Sequence, residues 1–321
     1  MNGHFVGVDV GGTKVSLATM NPEGLSKAQI VPTEHAGPRA LVDQLAAVIE
    51  AAREPDTTAV GIGIPSAVEF ATGRALSGVN LPLEGVPLRA TLTERLGLPV
   101  FVDNDANVAA LAEACDPAGK LVVSHLVMFT VGTGVGGGLV LGGRPFRGAT
   151  GAAGELGHTI IGLDLSDGAP PAREKFPQPG SLELLAAGRA LDRLAADSAR
   201  ERPGTALARL ASDGREVAGT DVVAAAHDGD EECIRLLRLL GQRLGIGIAS
   251  AINVFDPEQV VVGGGVSTAG DLLMGPAEDT ARQYVLAGVG TRTEIRAAQY
   301  GVEAGVRGAA LLAANESVAP S

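Results

Sequence analysis

The residues best suited to chemistry are polar side chains that directly follow short apolar runs. Asn104 and Asp105 stand between the apolar run "VFVD" and the helical pattern "ANVAALAE". Open α/β sheets bind their ligands at such carboxyl ends of strands. Asp105 there can accept the proton of an attacking hydroxyl, with a near-normal pKa if the transition state is loose. It can equally cap the following helix, and Asp103 is the competing carboxylate.

The run "DVGGTK", from Asp9 to Lys14, is a candidate anion-binding turn. Gly11 and Gly12 let the backbone turn sharply and present N–H groups to an anion. Thr13 adds a hydroxyl and Lys14 a positive charge. Asp9 is suited to orient a water bound to Mg²⁺. The alternative is an ordinary hairpin turn whose amides are satisfied by Asp9.

Two later glycine-rich runs have a similar character. They contain Gly132, Thr133 and Gly134 in "TVGTGVGGG", and Gly263, Gly264 and Gly265 in "VVVGGGVS". The first is followed by the strand-like "LVLGG" and not by a helix, so it favours a phosphate cradle over a dinucleotide-binding turn. The second allows close approach of a flat ring or a phosphate, or is only a strand-to-helix connection.

The segment from Gly154 to Leu185 combines Glu155, His158 and Glu183 without any cysteine. Carboxylates and an imidazole in this arrangement are suited to a metal site or to a substrate site. A third possibility is a helix-loop-helix surface with no chemical role. The surrounding fold must decide among the three.

The composition excludes several classes of protein. The chain has 321 residues, a formal net charge of −12 and only two cysteines. Such a charge argues against nucleic acid or an anionic membrane as a partner, and no apolar run is long enough for a membrane span. Cys115 and Cys233 lie far apart, which argues against a disulfide framework. We expect a cytoplasmic protein.

The elements that position these residues predict an α/β architecture with an internal repeat. "HLVMFTVGTGVGGGLVL" follows the plan of "HFVGVDVGGTKVSLATM": a strand, a glycine-rich turn and a second strand. We predict two related α/β domains around a cleft, although two unrelated hairpins would also fit. We place a smaller N-terminal domain at residues 1–117 and a larger one at 118–300. A helix at about 301–315 is expected to pack back on the first domain.

Taken in order, the motifs give the chain a resemblance to the ROK family of sugar kinases. They are "DVGGTK", "VGIGIP", "NLP", "DNDAN", "GTGVGGG", "RGATGAAGELGH", "SLE" and "VVVGGGVS". The resemblance implies the actin-like, ribonuclease-H-like ATPase fold. It is to the glucokinase-like members, because the repressors carry a DNA-binding extension and here the phosphate motif begins at Asp9.

The resemblance also implies roles for individual residues. Asp105 matches the catalytic base. Asn80, Asn104, Glu155, His158 and Glu183 match the sugar-hydroxyl ligands, and Ser66 stands close to the sugar where many relatives have glycine. Gly11 to Thr13 and Gly132 to Gly134 match the phosphate turns, and Gly263 to Gly265 match the adenosine side.

We therefore expect a homodimeric kinase that uses ATP with Mg²⁺ to phosphorylate the 6-hydroxyl of glucose. Fructose, mannose or an N-acetylhexosamine are alternative substrates, and polyphosphate is an alternative donor. A sugar-sensing protein without catalysis is the alternative of another class. Retention of Asp105, both phosphate turns and Glu183 argues against that last alternative.

One departure from the family pattern concerns zinc. Most members follow "GH" with three cysteines that, together with the histidine, bind a structural zinc ion. This chain has the proline-rich "DGAPPAREKFPQPGSLE" instead, without a cysteine. One histidine and scattered carboxylates are a poor substitute for a closed Cys₃His site. We expect no structural zinc, and something else must orient His158.

Overall fold

A computed structural model describes residues 3–77 and 81–318 of the chain. Its strands are β1 (His4–Val10), β2 (Lys14–Asn21), β3 (Gly24–Leu25), β4 (Gln29–Pro32), β5 (Thr57–Ile64), β6 (Val68–Glu69), β7 (Arg74–Ala75), β8 (Val100–Asn104), β9 (Leu126–Val131), β10 (Val135–Leu141), β11 (Arg144–Pro145), β12 (Gln259–Gly263) and β13 (Glu294–Ala297). Its α-helices are α1 (Pro38–Ala52), α2 (Leu88–Leu96), α3 (Asp105–Glu113), α4 (Leu182–Ala186), α5 (Gly188–Glu201), α6 (Ala206–Ser212), α7 (Gly219–His227), α8 (Glu231–Phe255), α9 (Asp271–Tyr284) and α10 (Ala304–Val318). Short 3₁₀ turns lie at Leu156–His158, Gly265–Ala269 and Gly301–Glu303.

The two main sheets share one plan. The first has the strand order β3-β2-β1-β5-β8, with β4 on β2, and the second has the order β11-β10-β9-β12-β13. In the first sheet β1 is antiparallel to β2 and parallel to β5, which is parallel to β8. In the second sheet β12 and β13 are parallel. Each glycine-rich turn of the sequence repeat therefore joins the first two strands of its own sheet.

The sequence periodicity explains where the helices lie. Pro38 begins α1, and Leu41, Leu45 and Ile49 are fully buried along one face at helical spacing. The strand β8 and helix α3 follow each other without a gap. Asn104 ends the strand and Asp105 begins the helix, as the apolar pattern predicts.

The chain packs as two compact units. The first comprises the described residues of 1–128, 138–154 and 299–321, and the second comprises 129–137 and 155–298. In the first unit, α10 lies directly on the sheet. A Cβ on Gly7 would collide with the Val306 carbonyl oxygen, and one on Gly61 with the Ala309 carbonyl oxygen. Only glycine permits this approach of helix backbone to strand backbone.

The second unit is built mainly of helices beside its strands. Helix α8 packs along α9, where Gly241 and Gly245 allow close contact with the backbone of Leu273 and Ala277. Helices α4 and α5 lead from the proline-rich segment into this bundle. Within the described residues, the helices are all too short or too polar to cross a membrane.

Candidate functional site

Asp105 is the first residue of helix α3, and its neighbour Asn104 is the N-cap. The Asn104 Oδ1 accepts hydrogen bonds from the N–H groups of Ala106 and Asn107 at 2.9 and 3.2 Å. The expectation that Asp105 caps the helix was therefore wrong by one residue. Its Oδ1 accepts a hydrogen bond from the adjacent Ala106 N–H, at 2.8 Å. Asp105 begins the first turn, where the helix dipole favours a negative charge.

A second carboxylate, that of Asp9, lies near Asp105 in the same unit. A Cβ on Gly63 would be 3.5 Å from Asp105 Cα and 3.9 Å from Asp9 Oδ1, so both residues flank this glycine. Burial raises the pKa of Asp105 to about 6, and the charge of Asp9 adds to the rise. Burial also raises the pKa of Asp9, although Lys14 opposes this. The pKa of Asp105 is thus higher than the near-normal pKa that the sequence suggested, and its carboxylate is a stronger base.

Two neighbouring carboxylates that are both costly to ionise form an environment suited to a divalent cation. Asp9 also lies at the start of α10: a Cβ on Gly305 would be 2.6 Å from its Oδ2. The hard oxygen donors of Asp9 and Asp105 match the preference of Mg²⁺. These side chains therefore fit the ion that the kinase resemblance implies.

Asp103, the competing carboxylate, has a structural role. It is 2% exposed, and its Oδ2 accepts a hydrogen bond from Arg147 Nε at 2.7 Å. Its Oδ1 accepts from Asn107 Nδ2 at 2.9 Å. Arg147 also pairs with Glu316 of α10 at 3.1 Å and lies 3.4 Å from the centroid of the Phe70 ring. Asp103 is fully engaged, which leaves Asp105 as the candidate base.

The turn Gly11–Thr13 has its carbonyl groups held by two residues that the sequence did not single out. Thr33 Oγ1 donates to the Gly11 carbonyl at 2.7 Å, and His35 Nε2 lies 2.8 Å from the Gly12 carbonyl oxygen. Within residues 3–77 and 81–318, the N–H groups of Gly12 and Thr13 make no hydrogen bond. They are available to an anion, as a phosphate turn requires. Thr33 and His35 are distant in sequence and carry no motif that would have identified them.

Ser66 is buried and its hydroxyl is used within the protein. Its Oγ lies 2.9 Å from the carbonyl oxygens of Ala67 and Ser77, and it also contacts the Ser77 hydroxyl. Asn104 Nδ2 donates to the Ser66 carbonyl at 3.3 Å, so Ser66 lies beside the start of α3. Asn80, the other predicted sugar ligand of this unit, lies outside the described residues.

In the second unit, Glu183 contacts the turn Gly132–Gly134. Its Oε2 accepts a hydrogen bond from the Val135 N–H at 2.9 Å. A Cβ on Gly134 would lie 3.1 Å from the Glu183 Cδ and closer still to Oε2, so a larger residue here would displace the Glu183 carboxylate. The Gly132 carbonyl accepts from the Gly188 N–H at the start of α5, at 2.7 Å. Glu183 thus joins the predicted sugar ligands to the predicted phosphate turn.

Glu155 and His158 flank the 3₁₀ turn that packs on β10. Gly157, between them, approaches Val135 so closely that a Cβ would collide with its carbonyl oxygen. His158 Nε2 is 3.8 Å from Glu155 Oε2. Val135, the first residue of β10, is therefore approached both by Glu183 and by Gly157, which lies between Glu155 and His158.

The third glycine run ends strand β12. Gly264 has a positive φ of 91°, and a Cβ there would be 2.7 Å from the Val131 N. Its carbonyl accepts a hydrogen bond from Ser267 Oγ at 2.7 Å, and that of Gly265 accepts from Thr268 Oγ1 at the same distance. The ends of β9 and β12 are therefore adjacent, and Gly264 lies beside the strand that leads into Gly132.

The residues around His158 do not fit a zinc ion. Among residues 3–77 and 81–318, the one group of three potential ligands within reach of each other is His4, Glu54 and Asp56, near the chain start. Cys115 and Cys233 are both buried, and burial raises the pKa of each thiol to about 12. Zinc binds thiolates, so neither cysteine is a ready ligand.

Known proteins are similar to this chain over nearly its whole length. A model described as "ROK family" matches residues 5–316. The glucokinase of Halalkalibacterium halodurans is 33% identical over 312 residues, covering 95% of this chain and 93% of that protein. The N-acetyl-D-glucosamine kinase of Salmonella typhimurium is 33% identical over 321 residues, covering 96% and 98%.

A solved structure is similar over the same length. The ROK family glucokinase of Streptomyces griseus, crystallised with glucose and AMPPNP, has a TM-score of 0.78 and 34% identity. The match covers 98% of this chain and all of that one. The predicted fold class, an actin-like, ribonuclease-H-like ATPase fold built from α/β halves, is confirmed by this likeness.

Proposed function

Since the chain belongs to the ROK family, we propose that it is an ATP-dependent glucokinase that phosphorylates the 6-hydroxyl of glucose. The observation that carries the proposal is Asp105: a carboxylate at a strand end, with a pKa raised to about 6. A general base works best when its pKa lies near the operating pH. Two relatives of nearly full length act on glucose, according to their names.

In the proposed reaction, a carboxylate oxygen of Asp105 accepts the proton of the sugar hydroxyl. The hydroxyl oxygen forms a bond to the γ-phosphorus of ATP, and the bond from that phosphorus to the β,γ-bridging oxygen breaks to release ADP. The N–H groups of Gly12 and Thr13 and those of Thr133 and Gly134 bind phosphate oxygens, while the Gly132 N–H closes its own turn on the Gly134 carbonyl. Gly263 to Gly265 lie against the adenosine.

Magnesium is part of the proposal. Asp9 and Asp105 would hold the ion, directly or through its waters, because both carboxylates are costly to ionise without a neighbouring cation. When bound, Mg²⁺ neutralises phosphate charge that develops during transfer. Removal of the ion with a chelator should abolish turnover, and addition of excess Mg²⁺ should restore it.

The sugar ligands we propose are Asn80, Asn104, Glu155, His158 and Glu183, together with Ser66. Glu183 uses Oε2 for the Val135 N–H, which leaves Oε1 to accept from a hydroxyl. Asn104 uses Oδ1 for the helix cap and donates from Nδ2 to the Ser66 carbonyl, so at most one amide N–H is left for a sugar hydroxyl. A site with donors and acceptors fixed in this way discriminates against sugars that lack a hydroxyl.

An N-acetylhexosamine kinase is the second candidate. A relative of that activity is as similar to this chain as the glucokinase of Halalkalibacterium halodurans, at 33% identity. Fructose, mannose and a polyphosphate donor remain further alternatives. Retention of Asp105 and both phosphate turns favours a kinase over a sugar sensor.

One experiment separates these activities: hexose phosphorylation measured over a sugar panel, with ATP and with polyphosphate as donors. We expect kcat/KM for glucose with ATP to exceed that for every other pair by about tenfold or more. An Asp105→Asn variant serves as the control, with turnover reduced by at least about a hundredfold. Absence of ATP-dependent turnover with every sugar would refute the kinase.

The assembly and location also belong to the proposal. We propose a cytoplasmic homodimer acting early in glucose breakdown, with domains at 1–117 and 118–300 and the helix near 301–315 belonging to the first. Light scattering on the purified chain tests the dimer. A mass of one chain at working concentration would contradict it.

A further inference from the structure

The two ring nitrogens of His158 have different surroundings. Nδ1 is buried and has no hydrogen-bond partner within the described part of the chain. Nε2 faces the carboxylate of Glu155, whose Oε2 is 3.8 Å away. A proton on Nδ1 would be a buried donor without an acceptor, which is unfavourable. A proton on Nε2 faces a negative charge, so these surroundings favour the tautomer with its proton on Nε2.

The ring of His158 is contacted by one aromatic side chain, Phe176. Their ring centroids are 5.0 Å apart and the planes meet at 67°, an edge-to-face geometry. Phe176 remains 66% exposed, so core burial does not account for its position. It comes from the proline-rich segment that lies between His158 and Glu183.

The base of this segment is closed by backbone hydrogen bonds. The Gly180 carbonyl accepts from the N–H groups of Ile161 and Gly162, at 2.8 and 3.2 Å, and Leu182 N donates to the Thr159 carbonyl at 2.8 Å. Gly180 has a φ of 72°, and a Cβ there would collide with the Gly162 carbonyl oxygen. The two ends of the segment are therefore held together next to His158.

The tip that carries Phe176 is closed by one side chain. Gln178 Oε1 accepts from the Arg173 N–H at 2.7 Å, and Gln178 Nε2 donates to the Arg173 carbonyl at 2.8 Å. This pair of bonds spans residues 173–178 and fixes the turn on which Phe176 stands. Pro177 and Pro179 on either side of Gln178 restrict the backbone further.

We propose that Phe176 is a positioning residue: its ring, held by the Gln178-closed turn, fixes the His158 imidazole so that Nε2–H donates to a sugar hydroxyl. The part that concerns sugar rests on the proposed function. The orientation of the His158 imidazole is independent of the proposed function, because it follows from the surroundings of Nδ1 and from the contacts with Glu155 and Phe176. A metal ion bound to Nδ1 would also keep the proton on Nε2. In this chain the contacts of His158 with Glu155 and Phe176 take that role.

The test combines ring ¹⁵N NMR of His158 with glucose binding and kinetics. The chain has five histidines, and a His158→Gln variant assigns the signal. In the unaltered chain without sugar, Nε2 should be protonated and Nδ1 unprotonated. Phe176→Ala should shift both nitrogens toward averaged tautomer values. It should also weaken glucose binding about tenfold, with kcat changed less than about threefold.

Two further variants separate positioning from general damage. Phe176→Tyr keeps the ring and should retain the tautomer and the affinity, whereas Gln178→Ala should shift the tautomer as Phe176→Ala does. Since Phe176 is exposed, both of its variants should keep the melting temperature. An unchanged tautomer and affinity in Phe176→Ala would overturn the proposal, as would zinc near one atom per chain. A shifted tautomer without turnover of any sugar would support the positioning and refute the kinase.

Discussion

Replacing Asp105 by asparagine should stabilise the ligand-free chain above neutral pH while it removes catalysis. The carboxylate lies in surroundings that raise its pKa to about 6, through burial and the neighbouring charge of Asp9. Ionisation is therefore less favourable in the folded chain than in the unfolded one. Asparagine is nearly the same size and has no charge to desolvate.

The magnitude follows from the pKa difference between the folded and unfolded chains. The unfolded value is 3.8 and the folded value about 6, and each unit corresponds to about 1.36 kcal/mol. Ionised Asp105 thus lowers the free energy of unfolding by at most about 3 kcal/mol at pH 8. Asparagine retains some cost of polar burial, so we expect a gain of about 1 to 3 kcal/mol.

The sign of the pH dependence is fixed by linkage. An acid with a raised pKa binds more protons in the folded chain than in the unfolded chain. The contribution of protonated Asp105 to the free energy of unfolding is therefore complete below pH 3.8 and is lost as pH rises through about 6. The advantage of Asp105→Asn should therefore grow from about 0.5 kcal/mol near pH 4 to its maximum above about pH 7.

Thermal melting of both chains across this pH range measures the effect. A gain of 1 kcal/mol raises Tm by about 2–4 °C for units of this size. Glu94→Gln is the matched control, because it removes one negative charge at an exposed position of α2. It should show no such trend. A Tm for Asp105→Asn at or below that of the unaltered chain above about pH 7, with kcat reduced, would refute the electrostatic reasoning.

Other predictions test neighbouring features. Arg147→Met should lower the free energy of unfolding by about 3 kcal/mol or more, because Asp103 would remain buried without its cation; a Tm drop below about 2 °C would contradict this. The kcat/KM of the proposed kinase should fall as pH drops through about 6, where Asp105 takes up a proton. Glu183→Ala should raise KM for ATP as well as for sugar, since it removes the acceptor of the Val135 N–H that adjoins the phosphate turn. Metal analysis of the purified chain should find no stoichiometric zinc, and a chelator should leave Tm unchanged.

The sequence was sufficient for the order of the elements and for the pairing of the glycine turns with two sheets. Local periodicity carries that information, as at Leu41, Leu45 and Ile49 in α1. The position of Asp105 at a strand-to-helix boundary was also correct. These features depend on residues that are close along the chain.

The partners of the site residues could not be predicted because they come from distant segments. Arg147 reaches Asp103 from 44 positions away, and Thr33 reaches Gly11 from 22. Neither contact leaves a periodic trace, since a single polar side chain in a loop has no required spacing. The contact between Phe176 and His158 is of the same kind.

The helix cap shows how a small error in position changes the chemistry. A carboxylate that caps a helix accepts two or three backbone N–H bonds, which stabilise its charge and lower its pKa. Here the neutral Asn104 makes those bonds, and the hydrogen bonds that Asp105 accepts from Ala106 and the Asn104 side chain lower its pKa less than burial raises it. Burial and the charge of Asp9 then dominate, and the pKa of Asp105 rises. A cap supplied by Asn104 is thus what allows Asp105 to be a base, and exchanging the two residues should lower the pKa of the carboxylate and weaken it as a proton acceptor.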